Sequence, residues 1–216
     1  MRRRPLLLTL SLLPALLPGA VALAAASQPA ANPPGPTGAS APTSGGLLET
    51  VMHRLAAVPH SRASFTETRT IAALTEPVRS SGRLAYQRPD RMEQITVWPH
   101  QEVLQVAAGR LTLTEGQEAP RELALADHPA LAGLVEAILG TLAGDLAGLR
   151  RAYHVAIAGT PEAWRLTLLP RETGLARLVR QVTIDGAGAT LRRVRTTQAN
   201  GDVSLMLIQP ADPPGG

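Results

Sequence analysis

Leu47, Leu48, Val51, Leu55 and Val58 recur at spacings of three and four, which predicts an amphipathic helix over 46–58, stopped before Pro59. Beyond it the period falls towards two. Residues 62–74 alternate in part, with Thr66, Thr68 and Thr70 on one side, and 78–87, 92–98, 102–107 and 111–114 follow as short strand-like runs. The breaks between them carry turn chemistry: Thr75-Glu76-Pro77, Arg88-Pro89-Asp90, Trp98-Pro99, Ala108-Gly109 and Glu115-Gly116. Consecutive strands joined by such short turns pair as an antiparallel meander.

A second helical pattern interrupts the strands. Leu131, Leu134, Val135, Ile138, Leu139 and Leu142 form one aliphatic stripe, and Leu146 and Leu149 extend it past Gly144-Asp145. Asp127 reads as the N-cap, just ahead of Pro129 in the first turn. The face opposite the stripe is small: Ala132, Gly133, Ala137, Gly140 and Ala143, with Glu136 the single charge between Pro129 and Gly144. Burying six aliphatic side chains contributes roughly 9–18 kcal/mol, while Gly133 and Gly140 each weaken the helix by about 0.5–1 kcal/mol relative to Ala. Such a helix is held by what it packs on. It reads either as an ordinary core helix or as a mobile lid over an apolar cavity. Strands resume at 153–159, 163–169, 181–185, 191–197 and 203–209. Ten or eleven strands and three helices, in the order helix, sheet, helices, sheet, make a mainly β (α+β) fold: one long antiparallel sheet curled around inserted helices.

The ends of the chain differ from this middle. Arg2, Arg3 and Arg4 precede an apolar run, Leu6 to Leu23, that Pro14, Pro18 and Gly19 interrupt, and small residues lead to Ala26. This pattern predicts a cleaved secretory signal over 1–26 and a destination in the periplasm. Residues 27–45 are rich in Pro, Gly, Ala, Ser and Thr and read as a disordered linker; 46–209 is the folded domain and 210–216 a flexible tail. Composition then narrows the chemistry. The 216 residues are 44% hydrophobic and 2% aromatic, which fits a folded, aliphatic core. There is no cysteine, so disulfides, thiolate metal sites, a cysteine nucleophile and a lipid-modified cysteine are excluded. All 21 cationic residues are arginine, which excludes lysine chemistry. Removing the signal with its arginines leaves 18 of them against 17 acidic residues, so the charge offers no argument for nucleic-acid binding.

No catalytic motif stands out. His53, His60, His100, His128 and His154 lack metal-ligand spacing, and there is no glycine-rich phosphate loop or nucleophile elbow. No cofactor or metal is expected and the chain reads as a non-enzyme; only a cluster of Glu67, His100 or His154 inside the fold would revive catalysis. Arg150-Arg151 and Arg192-Arg193 with Arg195 read as solvated outer faces, or as docking points for an acidic partner or anionic head groups.

Two stretches resemble the periplasmic lipoprotein carriers of the LolA type. Ala63-Ser64-Phe65-Thr66-Glu67 is similar to that family's A-x-F-x-Q, and Gly82-Arg83-Leu84-Ala85-Tyr86-Gln87-Arg88-Pro89-Asp90 to its G-x-L-x-x-x-R-P-[ND]. Pro99 and the order of elements over 46–209 add to the likeness. The resemblance implies an incomplete antiparallel barrel whose helices cover a hydrophobic cavity, and a monomeric carrier that shields the acyl chains of a lipoprotein or related lipid. It implies an inner-membrane exporter and an outer-membrane acceptor as partners. It also makes Arg88 the latch that ties the closed lid to the barrel, and Phe65, Leu84, Tyr86, Met92, Leu131, Leu134, Val135, Ile138 and Leu142 the cavity and lid residues. The period of β-structure agrees in putting Gly82, Leu84, Tyr86 and Arg88 on one strand face. The chain departs from the family where its aromatics after R-P become Met92 and Gln94, its D-G turn becomes Ala108-Gly109, and the aromatics after that turn become Leu111 and Leu113. The alternative reading is a lipid-sensing or regulatory binding domain on the same fold, which an uncleaved signal would favour.

Overall fold

The computed structural model describes residues 44–211. The residues read as a signal, and most of those read as linker and tail, lie outside them. The first helix, α1 (Ser44–Ala56), buries Leu47, Leu48, Val51, Met52 and Leu55, and starts two residues before the 46 expected. Five strands follow: β1 (His60–Thr70), β2 (Val78–Gln87), β3 (Arg91–Trp98), β4 (Glu102–Ala107) and β5 (Arg110–Glu115). β1 ends four residues before the expected 74, because Asp202 accepts the Ala72 N–H and Leu74 folds back onto the Ile71 carbonyl. The β4–β5 hairpin closes on Ala108 and Gly109, both with positive φ (49° and 71°), the backbone a two-residue hairpin turn requires.

A short β6 (Arg121–Ala124) was not expected, and it leads through a 3₁₀ turn (Leu125–Asp127) into α2 (Pro129–Ala143). Asp127 is therefore not the cap. Pro129 holds the first helical position and disfavours a helical backbone in the residue before it, so His128 becomes the cap, with no side-chain capping bond. Gly144 ends α2 in the left-handed region (φ 68°), where a Cβ would meet Ala56 and the Met52 carbonyl. Asp145 then caps α3 (Leu146–Ala152) by accepting the Gly148 N–H at 2.8 Å. The remaining elements are β7 (Tyr153–Thr160), β8 (Ala163–Pro170), a one-turn α4 (Thr173–Ala176), β9 (Val179–Ala187), β10 (Thr190–Gln198) and β11 (Val203–Pro210).

All eleven strands lie in one antiparallel sheet, ordered β6-β5-β4-β3-β2-β1-β11-β10-β9-β8-β7. The first and last strands pair in the middle, Phe65 opposite Ile208, and the margins β6 and β7 are left unpaired by any further strand among the described residues. The sheet is thus an open, incomplete barrel. Its inner face and the helices share one apolar core. On β8 and β9 that face is Trp164, Leu166, Leu168, Val179, Val182 and Ile184; on β4 and β5 it is Leu104, Val106, Leu111 and Leu113, all buried.

Candidate functional site

The site is the inner face of the sheet and the helix that covers it. α2 packs against α1, α3 and α4. Its deepest positions are Leu134, Ala137, Ile138 and Thr141, an i, i+3, i+4, i+7 line. This line is turned from the expected aliphatic stripe: Leu131, Val135 and Leu142 are only half-buried. The reason is close helix packing, since small residues face the neighbouring helices. A Cβ on Gly133 would stand 2.8 Å from Leu175, and one on Gly140 3.2 Å from Leu149. α2 is also tied to the sheet by a side chain that the sequence did not single out. Tyr153, fully buried at the start of β7, donates its hydroxyl hydrogen bond to the Gly133 carbonyl at 2.8 Å. Burial, and then the nearby Glu136 carboxyl, push the Tyr153 phenol well above its ordinary pKa. One clue was available: a buried tyrosine needs a partner for its hydroxyl.

Glu136 lies at the junction of α2 and α3, beside Gly140 and Gly148. Burial, and then Asp145, raise its pKa above the usual carboxylate value, and Arg151 opposes them. One of its oxygens is buried without a hydrogen-bond partner.

Of the residues assigned to cavity and lid, Phe65, Tyr86, Met92, Leu134 and Ile138 are buried in the core, and Leu84, Leu131, Val135 and Leu142 pack half-buried against it. Together they form one apolar cluster joining α2 to the sheet. One pocket, about 430 Å³, lies mainly on the outer face among Ser64, Thr66, Ser81, Arg83, Val97 and Gln209. A smaller one, about 20 Å³, lies at one end of the inner face. Arg88 is exposed in the turn after β2; burial raises the Tyr86 phenol above its ordinary pKa, and the nearby Arg88 charge opposes that. The Arg88 backbone N–H bonds the Pro59 carbonyl at 2.9 Å, and among the described residues its guanidinium makes no hydrogen bond to α2 or α3.

The inner face is not uniformly apolar. Glu67, 3% exposed, accepts hydrogen bonds from Ser80 (3.3 Å) and Ser204, with Arg69 at 3.8 Å. Glu67 and Arg69 line the smaller recess with Thr96 and the exposed His100. So Glu67 and His100 do come together, but in a space of about 20 Å³, room for little more than one water. His154 is exposed on β7. Among the described residues no three His, Asp or Glu side chains are grouped to hold a metal ion.

Sequence reasoning named Tyr86 for the cavity and Gln94 as a departure from the family, but missed that they form one polar set with Thr96. Tyr86 on β2 and Gln94 and Thr96 on β3 point inward, 5%, 1% and 5% exposed. The Tyr86 hydroxyl, both ends of the Gln94 amide and the Thr96 hydroxyl are buried with no partner. Each orphaned group costs about 1–3 kcal/mol. The alternation of β3, Met92-x-Gln94-x-Thr96, was the available signal, because it puts two polar residues on the face that Met92 shares with the core.

Several comparisons bear on this arrangement. The sequence profile described as "Outer membrane lipoprotein carrier protein LolA-like" matches residues 39–213. Among solved structures, a LolA superfamily protein from Nitrosomonas europaea is similar with a TM-score of 0.42 and 12% identity, covering 81% of this chain and 96% of that one. A DUF1329 family protein from Desulfovibrio piger is similar at 0.42 and 9%, covering 75% and 88%. A chain of the Pseudomonas aeruginosa MucA/MucB complex is similar at 0.41 and 12%, covering 78% and 58%. None of the curated protein sequences matches this chain.

Proposed function

The chain belongs to the LolA-like family of outer membrane lipoprotein carrier proteins, and on that premise we propose that it is a periplasmic carrier that shields the acyl chains of a lipoprotein or related lipid between inner and outer membranes. The observation that carries the reading is α2. It covers an apolar floor, contains Gly133 and Gly140, and keeps Leu131, Val135 and Leu142 half-exposed on its aliphatic side. Acyl chains in water cost about 0.8 kcal/mol per CH₂ group. A carrier meets that cost by offering an apolar face, and this one does so by moving α2 aside: the chains take the volume that Leu134 and Ile138 fill when the protein is empty. A glycine-weakened helix tied to the sheet by the Tyr153 hydrogen bond keeps the open and closed states close in free energy.

Release needs no nucleotide. Direction comes from an inner-membrane exporter that loads the carrier and an outer-membrane acceptor that binds the cargo more tightly. The carrier works as a monomer. Arg88 sits at the rim, beside Tyr86, and its latch role requires the guanidinium to swing onto α2, which it does not bond in the described arrangement.

Native mass spectrometry of protein purified from the periplasm tests the cargo: a co-purified acylated molecule is expected. Ile138→Glu should abolish binding of a fluorescent fatty-acid probe while the sheet stays folded by circular dichroism. Undiminished probe binding by that folded variant would overturn the assignment of α2 as the lid.

A further inference from the structure

We propose that Tyr86, Gln94 and Thr96 form a polar seat within the apolar floor that binds the carbonyl linkage of an acyl chain, with a preference for an amide linkage; this deepens the carrier reading and rests on it. Gln94 and Thr96 are two residues apart on β3, so their side chains leave the same face about 7 Å apart. Tyr86 sits opposite Met92 and diagonal to Gln94, about 7–8 Å between Cα atoms. The three flank one another on the inner face of β2 and β3, between Leu84 and Leu104, the cross-strand partners of Gln94.

Their chemistry is specific. The Gln94 amide presents one N–H₂ and one C=O, both buried and unpartnered, and the Tyr86 and Thr96 hydroxyls lie either side of it. An acyl amide is the complement of a carboxamide: its C=O accepts from Nε2 and its N–H donates to Oε1. An ester can only accept, so it meets the Nε2 and the hydroxyls but leaves Oε1 unpaired. A hydrocarbon segment meets none of them. An anionic headgroup is disfavoured, because the buried neighbours Glu67, Arg69 and Glu102 bring two carboxyl groups against one guanidinium. An apolar residue at 94 would remove two orphaned groups, so the glutamine works against the stability of the empty protein.

The test uses fluorescence titration with three pyrene-labelled probes of one chain length, ending in a methyl group, a methyl ester or an N-methyl amide. Wild type, Gln94→Leu and Thr96→Val are compared. Gln94→Leu should weaken amide binding about tenfold, which is 1.4 kcal/mol, weaken ester binding less, leave the hydrocarbon unchanged, and raise the melting temperature of the empty protein. Thr96→Val should weaken both carbonyl probes and spare the hydrocarbon. An equal loss of ester and amide would overturn the amide preference and leave a seat for carbonyl linkages of either kind. Equal shifts on all three probes, or none on any, in either folded variant would overturn the seat and leave the carrier reading standing. If wild type binds no probe, the carrier reading fails and the seat falls with it.

Discussion

Tyr153→Phe isolates the tie between sheet and covering helix. The substitution removes one hydroxyl from a fully buried ring and with it the 2.8 Å bond to the Gly133 carbonyl. That carbonyl keeps the bond from residue 137 that α-geometry provides, so no acceptor is left bare. A net hydrogen bond of this kind contributes about 0.5–1.5 kcal/mol. Near the middle, about 1 kcal/mol, the opening equilibrium of α2 shifts roughly fivefold if the helix opens as a unit. Amide hydrogen exchange reads this directly: α2 should exchange about fivefold faster while β8, β9 and β10 keep their wild-type rates. The melting temperature should fall by about 2–4 °C per kcal/mol in a domain of this size. The alkaline limb adds a check. Burial holds the Tyr153 phenol protonated in the fold above the ordinary tyrosine value of 10.0, so its contribution is complete below that value and is lost as pH rises through the higher folded value. The phenylalanine variant should therefore lose stability less steeply above pH 10. Unchanged exchange in α2, or the same acceleration in β8 and β9, would refute the idea that this bond sets how readily the helix leaves.

Glu136→Gln addresses the junction of α2 and α3. The folded state favours the protonated acid, so that contribution is present below the usual carboxylate pKa and lost as pH rises through the raised value. The variant should melt higher than wild type at pH 7 and together with it near pH 4; an identical difference at both would remove the titration argument. Gly82→Ala should destabilise by about 1–3 kcal/mol, because a Cβ there runs into the Ile95 carbonyl oxygen and stands 2.9 Å from the Phe65 ring; an unchanged urea midpoint would contradict that packing. Arg88→Leu should fold normally, speed exchange in α2 and impair cargo release; no effect on either exchange or transfer would end the latch role.

The alternating and turn-bounded segments were legible in the sequence, and the elements without those signals were not. β2 and β4 start and stop at the expected residues, because proline or glycine turns bound clear alternation. β6 stayed hidden: Arg121-Glu122-Leu123-Ala124 has one large apolar side chain, and that side chain is 36% exposed at the sheet margin. α4 stayed hidden because one turn has no period, although Leu175 fills the notch that Gly133 leaves. The buried face of α2 departs from its large aliphatic stripe because close helix contact buries the small residues, Ala137 and Thr141, most completely. For the site, Phe65, Tyr86 and Met92 came from the family resemblance, and period two by itself grouped only Tyr86, with Gly82, Leu84 and Arg88. Gln94 was visible only as a departure from an aromatic pattern. Its orphaned amide, like the Tyr153 bond, depends on which side chains meet across strands and helices, and no one-dimensional pattern records that.

The position of the strand termini has a mechanical consequence. Because β1 and β11 form the spine of the sheet, the two unpaired margins β6 and β7 are bridged by a single strap of chain, α2 with α3. Spreading those margins breaks no rung of any ladder, yet it pulls on both ends of the strap at once. The width of the mouth and the seating of α2 are therefore one coordinate, and a hand laid on either rim would be felt in the middle of the groove.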